Sequence, residues 1–182
     1  MSEQYLKFIT QVDSNTLNSL MDQYGQDVWN FAYFLTKNRN ASDDITQDVF
    51  IQVYNHVDSF RGEASIKTWL LTITRNISRN FLQTAFIRKV LLVDIVTSKG
   101  TCRSAEELFI EEEAANEIWK KVFMLPTKYR EVLVLQAKYQ LSISEISDIL
   151  KLPQGTVKSR LFEARNKMKQ SLSKEGLLYE SI

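Results

Sequence analysis

The chain has 182 residues, 44% of them hydrophobic, and a formal net charge of +1. That size and apolar share allow one compact domain or two small ones, and the near-neutral balance shows no bulk attraction to nucleic acid. Five Gly and two Pro in a Leu- and Ile-rich chain point to mostly helical structure, and no apolar run approaches the roughly 20 residues of a membrane span. The single cysteine, Cys102, excludes an internal disulfide and fits a reducing cytoplasm. Met1-Ser2-Glu3-Gln4 lacks the basic-then-apolar start of a secretory signal. The expectation is a soluble, cytoplasmic, all-α protein.

Met1 to Thr16 carries no clear signal. Leu17, Met21, Tyr24, Val28, Phe31 and Leu35 then recur at helical spacing and define one long amphipathic helix. Lys37-Asn38-Arg39-Asn40 breaks it, with a basic residue near the C-terminal dipole and asparagines suited to a turn. Ser42 is the expected cap of a second helix, with Asp43 and Asp44 in its first turn and Ile45, Val49, Val53 and Val57 as its buried stripe. Ser59 to Glu63 reads as a loop. A third helix is expected from near Ile66 to beyond Phe81.

Thr97 to Arg103 is short, polar and centred on Gly100, the best linker candidate. Two small helical domains joined by a flexible linker follow, at residues 1–92, 93–104 and 105–182. Ser104 and Glu107 form a plausible capping box that restarts a helix. That helix ends at Leu125-Pro126, because a residue before proline is pushed out of the helical region. The next is expected from Thr127 to Tyr139. Ser142 and Glu145 make a second capping box for a short helix ended by Leu152-Pro153. In the final helix Val157, Leu161, Ala164, Met168 and Leu172 share one face, and Thr156, Ser159, Arg160, Glu163 and Lys167 the other.

The near-zero net charge hides segregation. Gln154 to Lys174 holds six basic residues against one acid, Arg75 to Lys89 holds four and none, and Glu106 to Glu117 holds six glutamates with no basic residue. Asp43, Asp44 and Asp48 form a further acidic cluster. Two basic surfaces separated by acidic ones suit a protein that grips DNA twice and offers acidic faces to something else. The last two helices read as a helix-turn-helix for duplex DNA. Thr156, Ser159 and Arg160 stand in the turns that touch base edges, and Arg can bridge the two acceptors of guanine. Gln154-Gly155 can offer backbone N–H groups to a phosphate, while Lys158, Arg165 and Lys167 suit backbone contacts. By itself this pattern fits an ordinary DNA-binding regulator, or a module whose basic helices bind an acidic protein.

The first block changes that. Asp43-Asp44-Ile45-Thr46-Gln47-Asp48-Val49-Phe50-Ile51-Gln52-Val53-Tyr54 resembles the core-polymerase-binding segment of bacterial sigma factors. Phe60, Gly62, Thr68-Trp69-Leu70, Ile73, Arg75 and Asn76 resemble the promoter −10 segment of that family. Leu125-Pro126, Tyr129-Arg130-Glu131-Val132, Glu145-Ile146 and Gly155-Thr156-Val157-Lys158-Ser159-Arg160-Leu161 resemble its −35-reading domain. Order and spacing agree over roughly residues 17 to 172, and the length is similar to the small extracytoplasmic-function (ECF) group.

The resemblance implies a sigma factor that directs promoter-specific initiation. Asp44, Gln47, Asp48 and Phe50 would dock on the clamp helices of the largest polymerase subunit, with the flap of the second subunit as a further contact. Phe60 and Arg61 would belong to the loop that pockets a flipped −10 base, and Arg75, Asn76, Arg79 and Asn80 would line the unpaired strand. Gln154, Thr156, Lys158, Ser159, Arg160 and Arg165 would meet the −35 duplex. An anti-sigma factor, often membrane-anchored in this family, would be a second protein partner. Three positions depart from the family: Asn80 and Gln83 stand where an acid and then a base are common, and Ser147 where a small apolar residue packs the two motif helices together. Trp69 and the lone His56 read as structural residues. No nucleophile–base pair, phosphate loop or metal cluster appears, so no catalytic or metal site, cofactor or small-molecule substrate is expected.

Overall fold

The computed structural model describes residues 13–92 and 117–173. Among these there are seven α-helices and no strand, and they belong to two compact units, residues 13–92 to the first and 117–173 to the second. The expected linker at 93–104 and the Ser104–Glu107 capping box lie outside the described residues.

The first unit is built on α1 (Ser14–Thr36), α2 (Arg39–Asn55) and α3 (Ile66–Leu92). Asp13 caps α1: its Oδ1 accepts the Thr16 N–H at 2.8 Å. Bonds from Thr16, side chain and then backbone, hold the Asp13 carboxyl below its ordinary pKa. In the C-terminal half of α1, Val28 and every residue from Asn30 to Leu35 are buried. This helix is therefore the axis of the unit, packed against both α2 and α3. It stops at Lys37, whose backbone is left-handed (φ 56°) and donates to Tyr33 O.

The start of α2 departs from the sequence expectation. Its cap is Asn38, whose Oδ1 accepts the Ala41 N–H at 3.1 Å, so the helix begins three residues before Ser42. Ser42 is fully buried and donates to Asn38 O at 2.7 Å. The small side chains of Ala41 and Ser42 lie against the end of α1, where Thr36 Oγ1 is 3.4 Å from Ser42 Oγ. Asp43, displaced from the first turn, accepts the Trp29 indole N–H at 2.6 Å. The Trp29 ring stacks on Tyr33 at 5.3 Å and lies 5.5 Å beneath the Arg39 guanidinium.

The expected stripe of Ile45, Val49, Val53 and Val57 is buried, Val57 falling in a short 3₁₀ turn (Val57–Ser59) after the helix. His56, at the end of α2, is exposed. Gly62 takes φ 66°, a left-handed conformation that a Cβ would strain, and turns the chain toward α3. Ser65 Oγ accepts the Thr68 N–H at 3.1 Å to open that helix. Ile66, Leu70, Leu71, Ile73 and Ser78 are buried, but no described side chain of α3 beyond Ser78 is. The helix therefore continues past the core that holds its first half.

The second unit comprises α4 (Glu117–Met124), α5 (Thr127–Ala137), α6 (Ile143–Leu150) and α7 (Gln154–Ser173). Pro126 separates α4 from α5 as expected. Arg130, buried on α5, donates to Phe123 O at 2.9 Å, Leu125 O at 2.8 Å and Thr127 Oγ1 at 3.2 Å. It thereby satisfies carbonyls at the end of α4 that the helix itself leaves open. Burial pushes its pKa down to about 10, with Glu131 pulling the other way, so it keeps its charge at neutral pH. Helix α5 ends at Ala137, two residues short of the expected Tyr139, because Gln140 turns left-handed (φ 55°) and Tyr139 swings into the core.

Ser78 Oγ is buried with no hydrogen-bond partner. Ser78→Ala removes that unsatisfied group, and by the usual cost of such groups should raise the stability of the first unit by about 1 kcal/mol. Urea unfolding of the full chain checks this; a loss of stability would show that the hydroxyl is satisfied in solution.

Candidate nucleic-acid interface

The turn between α6 and α7 is fixed by local bonds. Ser142 and Glu145 form the expected capping box, Ser142 Oγ accepting the Glu145 N–H at 3.3 Å and Glu145 Oε2 accepting the Ser142 N–H at 2.9 Å. Helix α6 closes on Lys151, left-handed at φ 50°. The Leu152 N–H then reaches Ser147 O at 3.1 Å, and the Ser147 hydroxyl donates to Leu152 O. Ser147 thus adds a bond across the turn that an apolar side chain could not make.

Helix α7 buries Val157, Leu161, Ala164 and Met168, while Leu172 is half-buried. Gln154, Gly155, Lys158 and Ser159 are exposed and Thr156 is half-buried. Pro153 O accepts the Thr156 and Val157 N–H groups at 2.9 and 3.1 Å, and Ser159 Oγ donates to Thr156 O at 3.0 Å. The face expected to meet DNA is therefore present, and two of its arginines, the half-buried Arg160 and the exposed Arg165, bond across to α5.

Arg160 is tied down: its Nη1 lies 3.0 Å from Glu131 Oε1, with the two side chains only 25% and 10% exposed. It cannot bridge a guanine without breaking that ion pair, so here it is a strut between α5 and α7. Arg165 likewise donates to Gln136 on α5 at 2.7 Å. Phe162, which sequence reasoning passed over, is 63% exposed on the outer face. The signal was available, since a residue following Leu161 on this wheel points away from the core. Glu131 had no such signal, because it stands 29 residues from its partner.

In the first unit, Asp44, Gln47 and Asp48 are exposed on α2. Phe50 is not: it is 3% exposed and belongs to the core. Its ring forms part of the floor of a groove of about 400 Å³ between α1 and α2, lined also by Leu17, Met21, Gln47, Ile51 and Tyr54. Ile51, Tyr54 and Met21, 57%, 53% and 43% exposed, are the apolar groups that this surface presents. Phe60 too is a core residue, 4% exposed, its ring tilted against Trp69 at 5.1 Å. It anchors the loop from beneath instead of opening a pocket, and Arg61 beside it is exposed. Asn76, Arg79 and Asn80 are exposed along α3, and Arg75 is half-buried. An apolar cleft of about 360 Å³ in the second unit is lined by Ile118, Trp119, Val122, Leu133 and Met168 among others.

Comparison with known proteins agrees with this division. The family model of sigma-70 region 2 matches residues 20–85, and that of sigma-70 region 4 matches residues 116–168. The ECF RNA polymerase sigma factor SigW of Bacillus subtilis is 28% identical over 94% of this chain and 97% of its own. The ECF RNA polymerase sigma-E factor of Haemophilus influenzae is 30% identical over 90% of this chain and 91% of its own. Among solved structures, the sigma factor RpoE in complex with the anti-sigma factor NepR from Bartonella quintana aligns with a TM-score of 0.67 at 22% identity, covering 86% of this chain and 96% of that one. CnrH in complex with the cytosolic domain of CnrY gives 0.63 at 23% identity, with coverage of 88% and 90%.

The Glu131–Arg160 pair makes a prediction about stability. Glu131→Ala and Arg160→Ala should each destabilise the second unit by about 1–2 kcal/mol, and the double variant by no more than the worse single one. Denaturant unfolding of the four proteins closes the cycle. Additive costs would show that the two groups do not support each other.

Proposed function

This chain belongs to the sigma-70 family, in its ECF group, and is a non-enzymatic factor that directs promoter-specific transcription initiation; from that premise we propose how its surfaces divide the work. The observation that carries the reading is α7. It has one face sunk in a core and, from Gln154 to Phe162, an outer side of polar, basic and aromatic groups with no acid. Such a helix suits the major groove of the −35 element. Gln154, Thr156, Ser159 and Phe162 take the base edges, Phe162 through apolar contact of the kind a thymine methyl offers. Lys158 takes phosphate. Arg160 and Arg165 act mainly by holding α7 against α5.

Gly155 supports this assignment. A Cβ built there would meet nothing within 4 Å, so the fold itself has no need of glycine. Glycine inside a helix costs about 1 kcal/mol against alanine. A phosphate brought close to the backbone at the first turn gives the residue a purpose.

The unit comprising residues 1–92 binds core polymerase and the melted −10 element. Asp44, Gln47 and Asp48 meet the clamp helices of the largest subunit, with Ile51 and Tyr54 supplying the apolar contact that Phe50 supports from below. Arg61, Arg75, Asn76, Arg79 and Asn80 run beside the unpaired non-template strand, while Phe60 stiffens the loop by packing on Trp69. Residues 93–104 connect to the unit at 105–182, whose apolar cleft suits the flap of the second subunit. The energy of strand opening comes from binding unpaired bases and not from nucleotide hydrolysis.

A second protein partner belongs to this reading: among the similar solved structures, RpoE is in complex with the anti-sigma factor NepR and CnrH with the cytosolic domain of CnrY. In this reading an anti-sigma factor competes for the same apolar and basic faces, and anchorage of that partner would hold the chain at the inner side of the membrane. No helix among the described residues is long and apolar enough to cross a membrane.

Run-off transcription from fragmented genomic DNA with purified core polymerase tests the division of labour. The chain should give discrete transcripts, and Asp44→Ala with Asp48→Ala should weaken core association about ten-fold, an effect of roughly 1.4 kcal/mol. Unchanged association would remove that face from the interface. Gly155→Ala should stabilise the second unit by up to about 1 kcal/mol yet weaken binding to a −35 duplex. Tighter or equal DNA binding would leave Gly155 without the role assigned to it.

A further inference from the structure

Helix α3 outruns the core that supports it. Its last buried described side chain is Ser78, and from Arg79 to Ile87 every residue is exposed except the half-buried Leu82. In a soluble helix such a stretch is usually polar. Here it contains Phe86 at 69% exposure, Ile87 at 56% and Phe81 at 37%. Nothing among the described residues covers Phe86.

The position of Phe86 on the helix narrows what it serves. At 100° per residue, residues 75, 79, 82 and 86 fall on one side of α3, so Phe86 continues the line of Arg75 and Arg79 about 10 Å further along the axis. Asn76, Asn80, Gln83 and Ile87 form the neighbouring line. Each line thus begins with polar groups and ends with an exposed apolar one. From Arg75 to Lys89 the sequence has four basic residues and no acid, which favours a polyanion over an acidic protein surface. A cationic track with an aromatic ring on the same face is how single strands are bound without reading their sequence: charge follows the backbone and the ring accepts a base face.

We infer that Phe86 is a base-stacking platform which extends the unpaired-strand track of α3 beyond Arg79. This rests on the −10 assignment above and adds a residue that it does not include.

The test uses holoenzyme assembled from the full chain and core polymerase. The probe is a fluorescent DNA fork carrying a promoter recovered in the run-off assay, with the non-template strand unpaired through the −10 element. Phe86→Ala should weaken fork binding by about 5- to 150-fold, the range for losing one stacked base. Phe86→Trp should restore it, and Phe86→Leu should behave like alanine. Core association and binding to the −35 duplex should not change in any of the three. A leucine variant as good as the parent would overturn the proposal, since it would mean apolar packing without stacking. So would a loss of core association in the alanine variant, which would assign Phe86 to a polymerase contact, or fork binding that alanine leaves intact. Failure of the parent holoenzyme to bind the fork at all would instead refute the −10 assignment.

Discussion

Two consecutive charges on α5 tie the helices of the second unit together. Arg130 turns toward α4 and occupies the carbonyls at that helix's end; Glu131, the next residue, turns toward α7 and holds Arg160. Neighbours in a helix point about 100° apart, so one dipeptide can tie its helix to two others. Both contacts are made at low exposure, where an unpaired group would be costly. The depressed pKa of Arg130 expresses that cost, and its three acceptors offset it. If α5 let go of α7, the Glu131–Arg160 pair that helps turn Gln154 to Phe162 outward would be lost.

The first unit solves a similar problem with apolar packing. Because the C-terminal half of α1 is buried almost all round, α2 and α3 each pack one face on it and leave another exposed. On α2 that outer face carries Asp44, Gln47 and Asp48 beside Ile51 and Tyr54. On α3 it carries the basic and asparagine-rich line that ends at Phe86 and Ile87. Acidic and basic surfaces thus come from different helices of one small core, which lets a chain of near-zero net charge present opposite faces to different partners.

Aromatic residues show how burial redistributes roles. Phe50 and Phe60 stand within segments whose resemblance implies contact with partners, yet both rings belong to the core. Phe50 forms part of the groove floor under Ile51 and Tyr54, and Phe60 packs on Trp69 beneath the loop that carries Arg61. Phe86 and Phe162 are the reverse case. Each is exposed well beyond what a core residue would be, one on each of the two basic helices.

Much of this was legible in the residues themselves. The helical repeat of apolar positions, the Ser142–Glu145 box, the stop at Pro126 and the buried face of α7 depend on groups within about four residues of each other, and such relations are written directly into sequence. The start of α2 was not, because Asn38 and Ser42 both make acceptable caps. What decided between them was Ala41 and Ser42 packing against the end of α1. Nor could sequence assign Arg160, whose partner lies on a different helix, or tell which aromatic rings face inward. The sequence by itself therefore determined two helical units, their charged surfaces and the helix that can enter a groove. Tertiary structure alone decided which of those side chains are held as struts and which remain to meet a partner, because that choice depends on contacts between helices far apart along the chain.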